Sequence, residues 1–174
     1  MTDPVVFVDG RAAQAGEGSL TIVPLAERPE FIPVVARWHW DAWGHGDPTG
    51  SLEAWTEGLR KRSGRDAVPI SWVALVDETP AGSVALVEHD MAIHRDLSPW
   101  LSGLFVLPEY RHRGIAGALV RHCEASARAL GVGRLYLYTT TAETLYGQLG
   151  WTALSRERYG SDDVVIMAKD LTRL

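Results

Sequence analysis

The sequence has a single cysteine, Cys123, among 174 residues. One thiol cannot close an internal disulfide, so the fold must rest on its own core, and nothing points to an oxidising compartment. Long hydrophobic runs are also missing. None approaches the roughly 20 residues that a helix needs to cross a bilayer, so no membrane partner is expected. The first residues lack a basic stretch followed by a long apolar one, which predicts no secretory leader and a cytoplasmic location. Basic charge is scarce as well: 17 Lys and Arg stand against 22 Asp and Glu, a formal net charge of −5. A nucleic-acid-binding domain shows the opposite balance, so no nucleic acid is expected as partner. An acidic chain favours a cationic substrate over an anionic one. The six histidines show no close metal-ligand spacing with cysteine, and no metal is expected.

Apolar material is not lacking. The chain is 46% hydrophobic and 22% charged, which suits one sizeable core and argues against disorder. Residues 1–18 read as a mixed lead-in, with a short strand over 5–8 and an Ala- and Gly-rich loop after it. Residues 19–174 read as one domain, without repeat or linker. Residues 19–25 have strand composition. Phe31, Val34, Val35, Trp38 and Ala42 recur at helical spacing over 30–43, with Trp38 expected in the core. Ser51 is placed to cap a second helix over 52–61. Strand-like runs follow at 70–76 and 83–88, joined by the polar turn DETPAG. Residues 100–107 form the next strand, closed by Pro108. A helix over 114–130 carries the stripe Ile115, Ala116, Leu119, Val120, Cys123, Ala127 and Leu130, which makes Cys123 a small buried hydrophobe. A strand at 134–139, a short helix at 142–149 and closing strands at 151–158 and 164–168 complete the order β-α-α-β-β-β-α-β-α-β-β. Hairpins in the middle and at the end are antiparallel, and the strand–helix–strand unit over 100–139 favours parallel pairing. The expected class is therefore α/β (α+β): one mixed, mostly antiparallel sheet with helices on both faces.

The chemistry is concentrated in residues 104–117, LFVLPEYRHRGIAG. A buried strand runs into a loop holding Tyr110, Arg111, His112 and Arg113, and Gly114 opens a helix whose first turn is Ile115, Ala116, Gly117 and Ala118. The first N–H groups of a helix have no internal partner, and the helix dipole puts partial positive charge there. Gly114 lets backbone approach a ligand, small residues keep side chains aside, and the arginines add charge-assisted donors. Together they make a phosphate or pyrophosphate site. The Lys-Ser/Thr ending of a nucleoside-triphosphate loop is absent, and so is the dinucleotide GxGxxG pattern.

Arg111-x-x-Gly114-x-Ala116 resembles the (Gln/Arg)-x-x-Gly-x-(Gly/Ala) loop of the GCN5-related N-acetyltransferases, the GNAT superfamily. Leu104-Phe105-Val106 and Pro108-Glu109-Tyr110 are similar to that family's approach to the loop. A second segment, TTTAETLYGQLGW over 139–151, resembles the family at Ala142, Tyr146, Leu149, Gly150 and Trp151. The resemblance follows element order over about 19–170 and is densest over 100–151.

It implies a central pair of parallel strands, 100–107 and 134–139, that splay apart around the pantetheine arm of acetyl-CoA as cosubstrate. Backbone of Leu104, Phe105 and Val106 would meet that arm and the acyl carbonyl, and Arg111, His112, Arg113, Gly114, Ile115, Ala116 and Gly117 the pyrophosphate. Thr139 stands where the family often has asparagine and keeps a hydroxyl for the arm. A primary amine would attack the thioester directly, with Tyr146 contacting the cofactor and acting as acid toward the leaving thiolate. The family's frequent catalytic glutamate falls near Trp100, which is not acidic, so Glu88, Asp90 and Asp96 are the candidates to remove the amine's proton, directly or through water. Glu88 and Asp90 come first in that role, and Asp96 is also a substrate-side candidate. Of the cluster Trp38, His39, Trp40, Trp43 and His45, Trp43 and His45 are the candidates to face the acceptor, a small-molecule or peptide amine. Homodimers are common in the family. The alternative is a silent acyl-CoA sensor or interaction module on the same fold. Fold does not choose among amines.

Overall fold

The computed structural model describes residues 18–172. The strand expected at 5–8, and the lead-in with it up to residue 17, lie outside the described residues. The elements, in order, are β1 (Leu20–Pro24), α1 (Ile32–Trp43), α2 (Leu52–Lys61), β2 (Ile70–Val76), β3 (Thr79–Val87), β4 (Trp100–Val106), α3 (Ile115–Ala129), β5 (Arg134–Thr139), α4 (Glu143–Gln148), β6 (Thr152–Tyr159) and β7 (Asp162–Asp170). This is the order expected from the sequence. One seven-stranded sheet runs β1-β2-β3-β4-β5-β7-β6, antiparallel throughout except between β4 and β5.

Two boundaries differ from expectation for a shared reason. β3 starts at Thr79 rather than 83 because Asp77 and Glu78 alone make the hairpin turn, both with positive φ (47° and 67°). Two such residues match the twist of the flanking strands. The Asp77 carboxylate accepts the Ser19 N–H at 2.9 Å, which ties the turn to the approach to β1. β7 likewise starts at Asp162 because the last turn is short, with Gly160 at φ 63°.

Side-chain alternation divides the sheet into two faces. Trp72, Ala74, Val84, Leu86, Leu101, Leu135 and Leu137 point to one face and pack under α3 through Ile115, Leu119, Val120, Cys123 and Ala127. Burying a leucine such as Leu119 stabilises by about 2 kcal/mol, so this stripe fixes α3 over the middle of the sheet. Leu130, expected on the stripe, lies past the helix and is exposed. Val73 and Leu75 point to the other face and meet Ile32, Val35, Ala36 and Leu59 of α1 and α2. The buried stripe of α1 is thus Ile32, Val35, Ala36 and His39, about one residue off the sequence expectation. Val34 and Ala42 face outward, and Trp38 is half-buried at the rim. The helix turns this way because Pro24 and the two short 3-10 turns after β1 set its entry. Farther along the same face, Ala85, Val87, Trp100, Val164 and Ile166 are covered by Met91 and Leu97 of the connection between β3 and β4.

Between those two covers the central strand is open. Ser102, Gly103, Leu104 and Phe105 of β4 are each only half-buried, although β4 lies fourth of seven strands. None of the helices among the described residues is long and apolar enough to cross a membrane.

Candidate active site

β4 is irregular on both edges. Toward β3 its register jumps: Phe105 opposes Ser83 while Ser102 opposes Ala85, so β4 carries an extra residue, a bulge. Gly103 sits there with φ 60°, a conformation that a side chain would strain. Toward β5 the parallel ladder consists of Trp100 opposite Tyr136, supported by the Tyr136 N–H donating to the Pro99 carbonyl at 3.1 Å. Beyond that pair the strands part, and a wedge opens alongside residues 102–106.

At the top of the wedge lies the basic loop. Arg111 turns back and donates from Nε to the Val106 carbonyl at 2.9 Å, with its guanidinium 6.0 Å from the Phe105 ring centre. Arg113 donates to the Glu109 carbonyl at 3.0 Å and lies over Tyr110. His112 and Gly114 have positive φ (61° and 78°), and α3 begins directly after them with no side-chain cap and no acidic residue in its first turn. A Cβ on Gly114 would meet nothing within 4 Å, so backbone conformation, not crowding by the protein, is what asks for glycine. Ile115 buries its side chain in the core and can offer a ligand only its backbone N–H.

The open face of β4 carries a polar network. The hydroxyl of Ser83 donates to the Gly103 carbonyl at 2.9 Å, and His39 Nε2 lies 2.9 Å from the same hydroxyl. Because that hydroxyl spends its proton on the carbonyl, His39 donates from Nε2–H. His39 is 6% exposed, and burial, aided by the nearby Arg62 charge, lowers its pKa to about 4, so the ring is neutral. The bulge carbonyl, displaced from the ladder, thus finds a partner through α1. One residue earlier, Ser102 Oγ donates to Asp90 Oδ1 at 2.7 Å. Burial raises the Asp90 pKa, against smaller lowering effects of Ser102 and Arg62. Tyr138 of β5 shares this face with Trp100 and Tyr159, and burial, with the Asp90 charge next, raises its pKa to about 12.

Above Phe105 the aromatic residues of α1 gather. Trp38 stacks on Phe105 (5.7 Å between ring centres) and Trp43 meets it edge-on (6.2 Å), while Trp43 also lies 5.0 Å from the His39 ring. Trp43 is 48% exposed.

On the opposite face, α4 presents Tyr146 to the core beside Trp151, with ring centres 6.1 Å apart. Burial raises the Tyr146 pKa above its ordinary value, and the Cys123 and Asp90 charges add to that. The Trp151 indole N–H donates to Glu124 Oε1 at 2.9 Å. Lys169 pairs with Glu124 Oε2 at 2.8 Å and donates to the Leu149 carbonyl at 2.7 Å. Four bonded groups from α3, β7 and the end of α4 therefore hold the helix that carries Tyr146. The Thr139 hydroxyl accepts the Ala142 N–H at 2.9 Å and so shapes the turn into α4.

The chain as a whole has counterparts among known proteins. The sequence model of the acetyltransferase (GNAT) family matches residues 32–151. The chain belongs to that family. A curated relative, the uncharacterized N-acetyltransferase YafP of Escherichia coli (strain K12), is 29% identical over 87 residues, 50% of this chain and 49% of the relative. The chain thus spans about half the length of that relative. Among solved structures, an acetyltransferase of the GNAT family from Streptococcus pneumoniae superposes with a TM-score of 0.64 at 22% identity, covering 87% of this chain and 99% of the other. An aminoglycoside 6'-N-acetyltransferase complexed with coenzyme A superposes with a TM-score of 0.69 at 14% identity, covering 88% and 98%. The GNAT fold is therefore present, including its parallel β4–β5 pair.

Within that fold the residues singled out in the sequence separate into two groups. Leu104, Phe105 and Val106 lie along the wedge, Arg111 to Gly117 at its top, and Trp43 and Asp90 on the open face. Glu88, His45 and Asp96 are exposed. Glu88 comes after β3 has ended at Val87, whereas Asp90 reaches β4 through the Ser102 hydroxyl. His45 lies tilted against Trp40 at 5.3 Å, and Trp40 meets Trp55 of α2 edge-on at 6.1 Å, so it joins a different aromatic group from Trp43. His39, Ser83, Ser102 and Tyr138 belong to the site and were not singled out. Their sequence signal is a polar residue inside an otherwise apolar strand or helix stripe, which asks for a partner.

Proposed function

We propose that the chain is an acetyl-CoA-dependent N-acetyltransferase that acetylates a primary amine in a ternary complex, carried by residues 19–174 as one domain. The carrying observation is the coincidence of the β4–β5 wedge with the uncapped start of α3. The pieces fit the cosubstrate: exposed arginines and free N–H groups for a pyrophosphate, and an opened strand edge for an extended amide-bearing arm. Bound there, acetyl-CoA supplies an activated acetyl group: the amine nitrogen bonds to the acetyl carbon, the C–S bond breaks, and coenzyme A leaves as a thiolate.

The residues divide the remaining work. Arg111, His112, Arg113 and Gly114, with backbone N–H groups of Ile115, Ala116 and Gly117, hold the pyrophosphate. Backbone of Leu104, Phe105 and Val106 orients the arm, and an N–H beside the bulge lies where charge develops on the acetyl oxygen. Thr139 supports the arm through the turn it closes. Asp90 takes the proton of the ammonium, directly or through water. Its raised pKa makes it a stronger base than an ordinary carboxylate. Tyr146 keeps its proton by burial and offers a hydrogen bond to the departing sulfur. Complete transfer to a thiolate is uphill for so weak an acid, so its work is chiefly electrostatic. A silent acyl-CoA sensor remains the second reading, favoured by Trp100 in place of an acidic residue. Asp90 weighs against it, because from the β3–β4 connection it brings a carboxylate against Ser102 of the same strand.

Calorimetric titration with acetyl-CoA, coenzyme A and ATP tests the cosubstrate: saturable binding of the first two alone is expected. Thiol release on adding amines then separates enzyme from sensor. Binding without release from a broad amine panel would favour the sensor.

A further inference from the structure

We infer that the acceptor is a small monoamine built on a flat apolar body, such as an arylalkylamine, seated between Asp90 and the Trp43–Phe105 shelf. This rests on the N-acetyltransferase reading above and narrows its substrate. The argument begins with charge. On the open face of β4, Asp90 is the carboxylate held against the strand, through Ser102 at 2.7 Å. The Arg62 guanidinium is close enough to influence both Asp90 and His39, and His39 itself is neutral. Asp90 can pair with one ammonium, and the Arg62 guanidinium repels any further positive charge brought alongside it. A polyamine or aminoglycoside brings several ammoniums, each needing its own acceptor, and would set one of them against Arg62.

Shape supplies the second argument. Three residues along β4 from Ser102 stands Phe105, and because the bulge sets the two opposite Ala85 and Ser83, only two steps of β3 apart, they are separated by about 7 Å along the sheet. Over it Trp38 stacks at 5.7 Å and Trp43 stands edge-on at 6.2 Å. Trp43 is 48% exposed, a large ring beside an opening in the middle of a sheet. Such rings bind flat apolar groups by offset or edge contact and leave no polar group to desolvate. Gly103 and the bulge lie between the two ends, so an amine held at Asp90 with its ring on Trp43 spans the place where the acetyl group is presented. A ring joined to nitrogen through two or three carbons has that length, whereas a bare alkyl chain fills it with more lost rotamer freedom.

The experiment compares 2-phenylethylamine, spermidine, kanamycin and a peptide beginning with alanine as acceptors at saturating acetyl-CoA, in wild type and in Trp43→Ala and Trp43→Phe. A kcat/KM for 2-phenylethylamine at least tenfold above the other three is expected. Trp43→Ala should lose about tenfold of that advantage with the KM for acetyl-CoA unchanged, and Trp43→Phe should restore most of it. Preference for spermidine, kanamycin or the peptide overturns the inference, and so does a Trp43→Ala effect confined to acetyl-CoA. Equilibrium binding of 2-phenylethylamine against spermidine in the same variants reads the shelf without turnover. Failure of acetyl-CoA to bind would sink the enzyme reading alone, while equal binding of both amines would sink this one.

Discussion

The two edges of β5 differ sharply. One edge pairs with β7 from Arg134 opposite Asp170 to Thr139 opposite Val165, six consecutive pairs. The other meets β4 at Trp100 opposite Tyr136 and then diverges. Both edges belong to the same apolar run, and both strands beside it carry buried apolar residues, so composition does not explain the difference. Connection does. β7 belongs to a hairpin with β6 that is free to align, whereas β4 leads through a kinked loop into α3, and the bulge at Gly103 turns it away. A closed edge spends its backbone groups on the sheet, and an open edge leaves them for a ligand. The chemistry proposed above uses the open one.

The largest effect should come from closing the open edge at its anion site. Gly114→Glu puts a side chain where φ is 78°, at a strain of roughly 1–2 kcal/mol, and a carboxylate beside the free N–H groups of α3. The carboxylate suits the helix start, so the fold should survive, but it takes the place of the pyrophosphate. Acetyl-CoA binding should fall at least a hundredfold by calorimetry, with the circular dichroism of the wild type. Retained binding would remove the loop from the cofactor site.

Asp90→Asn should come next. Asparagine keeps an oxygen for Ser102 but cannot take a proton. A loss of about a hundredfold in kcat is expected, within the usual range for a general base, at unchanged acetyl-CoA affinity. In the wild type the rate should fall as pH drops through the raised Asp90 pKa, above the ordinary carboxylate range, and the variant should lack that limb. A surviving limb would return the role to Glu88 or Asp96.

Tyr146→Phe is expected to cost about tenfold in turnover. The ring still packs on Trp151 and α4 is still held through Glu124 and Lys169, so acetyl-CoA affinity should not change. Full activity would show that the thiolate leaves without help from this hydroxyl.

The contrast between the edges also separates what could be read in the sequence from what could not. Element order and the closed parts were legible because periodicity encodes them: β2 over Ile70–Val76, β5 over Arg134–Thr139 and α2 over Leu52–Lys61 fall where the pattern placed them. The loop before α3 was legible as a candidate anion site because glycine, small residues and arginines stand together there in the sequence. The bulge was not, since an extra residue in β4 exists only relative to β3, and Gly103 in SGLF was its one local trace. His39 was grouped with its aromatic neighbours because Trp38 and Trp40 dominate the helix pattern. Its burial depends on how α1 is rotated on the sheet, a tertiary matter. Glu88 and Asp90 stood together ahead of Asp96 in the sequence, and it is the hydroxyl of Ser102 that sets Asp90 apart.

The smallest expected effect concerns the device that props the open edge, and it is read in stability rather than turnover. His39 is held neutral with a pKa near 4, below the ordinary 6.5, and His122 is lowered to about 4 by burial as well. A group whose pKa is depressed by folding takes up its proton more readily when unfolded. Stability is therefore independent of these histidines above about pH 6.5 and is lost as pH falls from there toward 4. Each contributes at most about 1.4 kcal/mol per pH unit across that window. Asp90 works in the opposite sense at the lower end, because its raised pKa lets the folded state keep a proton. His39→Asn removes one titrating group while leaving a donor for Ser83. Urea unfolding at several pH values between 4.5 and 7.5 should give a shallower acid slope in the variant, about half that of the wild type if His39 and His122 dominate. An unchanged slope would mean that His39 takes its proton within the folded state, and its Nε2–H donation to the Ser83 hydroxyl would then not depend on a neutral ring.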